Sequence, residues 1–352
     1  MTRVYLDHNA TTPLRAEARA AMLAAMDLAG NPSSVHAEGR AARGLVERAR
    51  AQVAQALGAD GAEVIFTSGA TESAALAMAA LHKTGRGLLC GAVEHEAVLA
   101  WGSGDLGVTA GGTVAVGDPS HSALQLANSE TGVVQVLPSG LAVSDLTQGF
   151  GKLPLAFNWL GVAMGLVSAH KLGGPKGVGA VVVRRGVEVA AQIRGGGQEQ
   201  GRRAGTENLV GIAGFGAAAE AASRDLADGR WDRVAALRGA MEAALVALVP
   251  EALVVGLGAA RLPNTTCVMV PGWKGETQVM QMDLAGFAIS AGSACSSGKV
   301  RASRVLRAMG FDEMASASAI RISLGLETTE GDVMRFAESW AAQWRRQKAR
   351  AA

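Results

Sequence analysis

Apolar positions recur at three- and four-residue spacing over residues 15–28 and 36–57, which predicts two amphipathic helices ahead of the first strand. A short apolar run at 63–67 predicts that strand, and helical spacing returns from about 71 to 83. Short apolar runs bounded by turn residues follow near 87–92, 113–116, 123–127, 141–145, 162–168 and 178–184. Such alternation of strand and helix predicts an α/β layer with a mainly parallel sheet. Helices are predicted next at about 206–224 and 229–248, the second a long amphipathic connector. Beyond it, LVVGLG, TTCVMV, FAISAG and AIRISLG predict strands of a smaller domain closed by helices at 301–309 and 328–348. Two domains are therefore expected, residues 1–228 and 229–352, with the first few residues packing on the smaller one.

Composition narrows the class without naming a function. The 352 residues are 49% hydrophobic and 18% charged, enough apolar material for a sizeable core, and 46 glycines imply many tight turns. With 33 basic against 31 acidic side chains, the net charge of +2 gives no electrostatic footprint for nucleic acid or a membrane surface. MTRVYLDHNATT lacks the apolar core of a signal peptide and no run of 18 apolar residues occurs, so a cytoplasmic protein is expected. Cys90, Cys267 and Cys295 are widely spaced and form no CxxC, which fits neither a disulfide framework nor a metal site. The basic end, WRRQKARAA, reads as a charged, frayed helix terminus.

Two stretches carry candidate chemistry. In VIFTSGATES (residues 64–73) a strand runs through a tight turn into a helix, so backbone N–H groups and a positive dipole end face one point, an arrangement suited to a phosphate. The same Ser, Thr and Glu are ordinary helix caps. No GxxxxGK[ST] or GxGxxG accompanies them, so a nucleotide site is not indicated. In VSAHKLGGPKG (167–177) Lys171 ends an apolar run with glycines behind it; a lysine in such a pocket loses its proton readily and forms imines with aldehydes. Phosphate and reactive amine together suggest pyridoxal phosphate. That cofactor needs an acid for its ring nitrogen, a donor for its phenolate oxygen and a flat group over its face. Asp145, Gln148 and His95 are the candidates, His95 also for moving protons near neutral pH. A lone histidine in that position also reads as a helix cap.

The matching stretches YLDHNATTPL, GNPSSVHAEGR, FTSGATES, the pair Glu94 and His95, ANSETG, DLTQGFGKLPL, SAHKLGGPKGVGA, GGGQEQGRRAGTEN, SAGSACSSG and AIRISLG run from Tyr5 to Gly325 in one order. On them the chain resembles the cysteine desulfurases of the NifS and IscS type, class V members of the fold type I pyridoxal-phosphate enzymes. The resemblance implies a large domain with a seven-stranded type of sheet, mainly parallel, plus a smaller α+β C-terminal domain. It also implies that Lys171 carries pyridoxal 5'-phosphate, that Asp145 pairs with the pyridine nitrogen, that Gln148 contacts the phenolate oxygen and that His95 stacks on the ring. The phosphate falls to Ala70, Thr71, Ser168 and His170, with Thr206 reaching across from the partner of a homodimer. Arg321 matches the residue that holds the substrate carboxylate, and Asn128 is placed with it. Cys295, in a glycine- and serine-rich loop, is expected to take sulfur from L-cysteine as a persulfide, leaving alanine, and to hand it to an acceptor protein. No metal is expected.

The chain departs from the family's pattern in two places. A double asparagine is replaced by Asn128 and Ser129, with Ser129 at the cofactor-facing position. The intervals from His95 to Asn128 and from Gly132 to Asp145 are also short. VVQVLPSGLAVSD leaves no room for a crossover helix, so either one sheet face is bare or a rearranged loop or partner covers it. Selenocysteine lyase or cysteine sulfinate chemistry shares the same site, and a trimmed non-catalytic scaffold is the reading from another class.

Overall fold

The central strands carry continuous apolar runs, as strands covered on both faces do. The structure, a computed structural model, describes residues 3–82, 87–292 and 302–351. Strand β1 (Val4–Tyr5) precedes α1 (Ala16–Met26) and α2 (Ala37–Ala56), followed by β2 (Glu63–Thr67) and α3 (Ala70–His82). Next come β3 (Leu89–Cys90), the single turn α4 (Glu96–Leu99), β4 (Ser122–Ala123), β5 (Leu141–Asp145), β6 (Val162–Ser168) and β7 (Gly179–Val183). The sheet order is β2-β7-β6-β5-β4-β3; β7 is antiparallel to both neighbours and the remaining pairs are parallel. Among the described residues this is a six-stranded version of the expected seven-stranded type.

Side chains along each strand point alternately to two cores. Val64 and Phe66 of β2 and Ala180 and Val182 of β7 face a core shared with α2 (Val46, Ala49, Val53) and with Ile212 and Phe215 of α5 (Leu209–Ala227). Ile65, Val181 and Val183 face the opposite core, with Ala74, Ala77 and Met78 of α3. Helices thus cover both faces, and the open C-terminal ends of the parallel strands β5 and β6 are left to form a crevice.

The second half contains α6 (Arg230–Leu248), β8 (Leu253–Val254), β9 (Thr265–Met269), α7 (Gly275–Leu284), β10 (Phe287–Ala288), α8 (Arg304–Ala308), α9 (Glu313–Ser316), β11 (Ala319–Ser323) and α10 (Glu330–Ala351). β11, β9 and β8 form an antiparallel sheet whose core holds Trp273, Phe287, Phe336 and Trp340. The chain's beginning belongs here: β1 pairs in parallel with β10, and Val4 and Leu6 are buried in the same core.

The trimmed region is where expectation and structure part. Residues 113–116 make no strand, only an isolated bridge between Val108 and Val114, and the stretch at 123–127 contributes the end of the two-residue β4 and an isolated bridge between Ala127 and Val134. The connection from β4 to β5 contains no helix, yet the sheet face is not bare. Val114, Val116, Val134 and Leu137 pack over it. The loop is also bonded to the second half: Val134 N donates to Ala260 O and Leu262 N to Gly132 O, each at 2.8 Å. Gly132 takes φ +76°, and a Cβ there would stand 2.8 Å from the Thr265 Cβ, so close approach and backbone conformation both require glycine. Of the two outcomes expected from the sequence, the structure has the rearranged loop.

Candidate active site

A cavity of ≈ 640 Å³ opens at the C-terminal ends of β5 and β6. Its wall brings together Ala70, Thr71, His95, Asp145, Gln148, Ser168, His170, Lys171 and Arg321, nine residues read from the sequence as one site. The strands explain the delivery. β5 ends on Asp145, β6 on Ser168, and a 3-10 turn at Ala169–Lys171 lifts Lys171 over the strand end.

Each side chain is held by its local structure. Thr147 N donates to Asp145 Oδ1 at 2.9 Å, fixing the carboxylate. Lys171 Nζ donates to Asn9 O (2.6 Å) and Ala10 O (3.0 Å), so the amine is held by the carbonyls of the N-terminal segment. Gln148 Nε2 donates to the same Asn9 O at 3.0 Å. His95 is both a cap and a wall residue: its Nδ1 accepts from Ala97 N (3.1 Å) at the start of α4, which leaves Nε2 as the proton-bearing nitrogen of the neutral ring. At the other end of the cavity β2 turns into α3 through Ser68 and Gly69, the glycine at φ +155°. Ser68 N donates to Glu72 Oε2 (2.8 Å), and Ala70 and Thr71 form the first turn of α3. Backbone N–H groups of a first helical turn lack intrahelical acceptors, so this end of the cavity suits an anion.

Burial sets the charges. The His170 imidazole is pushed down to about 4, first by desolvation and then by Lys171, Lys176 and Lys152, so it stands neutral beside Thr11 Oγ1 at 3.2 Å. Glu94 is driven well above the carboxylate range, chiefly by desolvation; Gln125 N donates to its Oε1, and its buried Oε2 has no partner among the described residues. Glu130 is raised for the same first reason, with Ser303 Oγ donating to it at 2.6 Å. Arg321 is 4% exposed and already engaged, its Nη2 donating to Asp7 Oδ1 (2.7 Å) and its Nη1 to Ser129 O (3.2 Å), while buried Nε has no partner among the described residues.

Two predicted residues, Asn128 and Thr206, are not on the wall, and a third is not among the described residues. Asn128 is buried and fully used nearby: its Nδ2 donates to Val93 O, and its Oδ1 accepts from Glu130 N, Thr131 N and Thr131 Oγ1. It builds the turn that presents Ser129, which does line the cavity. Thr206 is exposed, away from this cavity. Cys295 lies outside the described residues. Cys90 and Cys267 are buried free thiols, Cys267 pushed up to about 12 by burial, so neither supplies a ready thiolate.

Sequence reasoning passed over Asn9, Ala10, Lys152 and Arg304. The first two sit in YLDHNATTPL, where a backbone acceptor carries no side-chain signal. Arg304, first residue of α8, donates to Ala92 O (3.1 Å) and Glu94 O (3.0 Å), tying the second half to the segment just before His95.

The residues present fit pyridoxal phosphate: an amine, an acid, an amide donor, an imidazole and an anion cradle share one cavity of sufficient volume. Among the described residues no cluster suits a metal ion, and no helix is long and apolar enough to cross a membrane.

Comparisons with known proteins agree with this chemistry. A family model described as aminotransferase class-V matches residues 4–116 and 121–336. A cysteine desulfurase of Cereibacter sphaeroides is 40% identical, covering 96% of this chain and 95% of its own. A NifS-like protein structure from Rickettsia africae ESF-5 superposes with TM-score 0.88 at 31% identity, covering 97% of this chain and 99% of that one. A structure described as SspA in complex with cysteine gives 0.75 at 26% identity, with 93% and 100% coverage. The lysine, acid and amide gathered at the strand ends, and matches that run through both halves, lead to one conclusion: the chain belongs to the aminotransferase class-V family, among its cysteine desulfurases.

Proposed function

We propose that the protein is a pyridoxal-phosphate-dependent L-cysteine desulfurase, which forms L-alanine and leaves sulfur on Cys295 as a persulfide for iron–sulfur cluster or thio-cofactor biosynthesis. The observation that carries the reading is the convergence of Lys171, Asp145, Gln148 and the Ser68–Thr71 turn on one cavity. Lys171 would hold the cofactor covalently, and the turn, with Ser168 and His170, would hold its phosphate. When bound, the cofactor supplies an electron sink for the bond to be broken at the substrate's α-carbon. Asp145 keeps a proton at the ring nitrogen, Gln148 donates to the phenolate oxygen, and Lys171 Nζ takes and returns the α-proton. Arg321 offers its guanidinium to the substrate carboxylate, with Asp7 fixing the fork. His95 Nε2 moves the proton linked to sulfur transfer, and Cys295 Sγ is the nucleophile. Thr206 completes the phosphate site of a second copy in a cytoplasmic homodimer, and an acceptor protein collects the sulfur.

The reading is tested by incubating protein with L-cysteine and measuring alanine and protein-bound persulfide together. Equal alanine and sulfur release are expected, with Lys171→Ala colourless and Cys295→Ser coloured but free of persulfide. A wild type that stays colourless with added cofactor would remove the assignment, and sulfide release by Cys295→Ser at the wild-type rate would remove Cys295.

A further inference from the structure

Lys152 is a lysine that the reaction does not use, 3% exposed and, among the described residues, without an acidic partner. It sits four residues after Gln148 in successive turns, in which Phe150 N donates to Leu146 O and Leu153 N to Gly149 O, with Gly151 at φ +75° between them. The reversal at Gly151 brings the Lys152 amine back onto Gln148. Lys152 Nζ donates to Gln148 O and to Gln148 Oε1, both at 3.1 Å. The charged amine can only donate, and even when neutral its two N–H groups match the two Gln148 oxygens, so it favours one orientation of the amide over the other. Gln148 Oε1 therefore points at Lys152, and Nε2 points at Asn9 O and the cavity.

We infer that Lys152 is a positioning residue, which locks the Gln148 amide so that the cavity meets an N–H donor and never a carbonyl oxygen. The inference rests on the pyridoxal-phosphate reading, in which that donor meets the phenolate oxygen. Retaining a lysine here is costly. Desolvation, then Lys171 and Arg321, push it down to about 7, and His8, itself pushed down to about 4, faces it without neutralising it. An apolar residue would fill the space at less cost, so the amine is explained by what it does to Gln148.

The test reads the visible band of the cofactor-loaded protein as a function of pH. A phenolate oxygen that loses its donor becomes more basic, and the conjugated nitrogen keeps its proton to higher pH. Lys152→Met should therefore raise the midpoint of the band's titration by about 0.5 pH unit or more. The same substitution should cause no shift in a Gln148→Ala background, because the effect passes through that amide. A wild-type midpoint in Lys152→Met, or a shift that survives in the Gln148→Ala background, would overturn the inference. If Lys152→Met does not fold, Lys152→Gln decides in its place, since its amide accepts as readily as it donates and should raise the midpoint too. A wild type with no visible band would instead count against the function itself.

Discussion

The buried charge of Lys152 should be visible in stability as well as in spectra. Its folded value of about 7, against 10.5 for an ordinary lysine, means that the folded state binds this proton less tightly than the unfolded chain. At about 1.4 kcal/mol per pH unit, the difference is a destabilisation of about 5 kcal/mol, present in full below pH 7. The sign follows from proton counts. Between pH 7 and 10.5 the unfolded chain is protonated and the folded site largely is not, so stability rises with pH across that window. From pH 6 to pH 9 the burden shrinks from about 5 to about 2 kcal/mol, a gain of about 3 kcal/mol by this group alone. Lys152→Met removes the titration and adds a pH-independent cost for the two Gln148 oxygens it leaves unpaired. Guanidinium unfolding of both cofactor-free proteins, followed by tryptophan fluorescence at pH 6 and pH 9, isolates the group as a difference. The wild type should gain about 2–3 kcal/mol relative to Lys152→Met over that interval. Parallel stabilities at the two pH values would refute the reasoning, because they would mean that Lys152 titrates as it does in water.

Two further substitutions probe how the anion cradle is held. At Gly179 a Cβ would lie 2.6 Å from Val167 O and 2.8 Å from Gly69 Cα, so Gly179→Ala should push β7 away from the cradle, cost about 1–3 kcal/mol and weaken cofactor binding in a fluorescence titration; unchanged affinity would show the cradle to be set independently of β7. Arg50 donates to both Glu199 oxygens, at 2.7 and 3.0 Å, while Phe66 N donates to Glu199 Oε2 at 2.9 Å, so the pair joins β2 to the loop that carries Thr206. Arg50→Met strands a carboxylate whose side chain is 2% exposed and should cost about 3–5 kcal/mol in denaturant unfolding; a loss under about 1 kcal/mol would mean that the pair holds nothing in place.

What the sequence disclosed follows from how each signal is encoded. Strands β2, β5, β6 and β7 and helices α2, α5 and α10 were legible because their periodicity spans enough residues to outweigh local noise. β10 was legible in FAISAG, but its partner β1 was not, since a two-residue strand owes its existence to a neighbour that lies almost the whole chain away. Helix α7 was missed because polar residues sit on its buried side: Gln278 has no exposed surface, donating to Trp273 O and Ser318 O and accepting from Trp340 Nε1. The strand expected at 113–116 failed for a related reason. Val114 does pack inward, but its backbone N–H is satisfied by the Gln135 side chain, so no neighbouring strand is needed.

The site divides along the same line. Residues whose chemistry is rare in a cavity, such as Lys171, Asp145 and His95, announce themselves by type and by the strand ends on which they sit. Residues whose role is created by burial do not, because Lys152, Glu94 and Glu130 look like ordinary surface charges until the fold removes their water. Desolvation then disfavours the charged form of either sign. Glu94 and Glu130 are driven toward the neutral acid, and Lys152 and His170 toward the neutral base, while the Arg321 fork is held by Asp7. A ligand with a phosphate at one end and a carboxylate at the other therefore meets the first turn of α3 and the Arg321 fork without the buried carboxyls of Glu94 and Glu130 set fully against it.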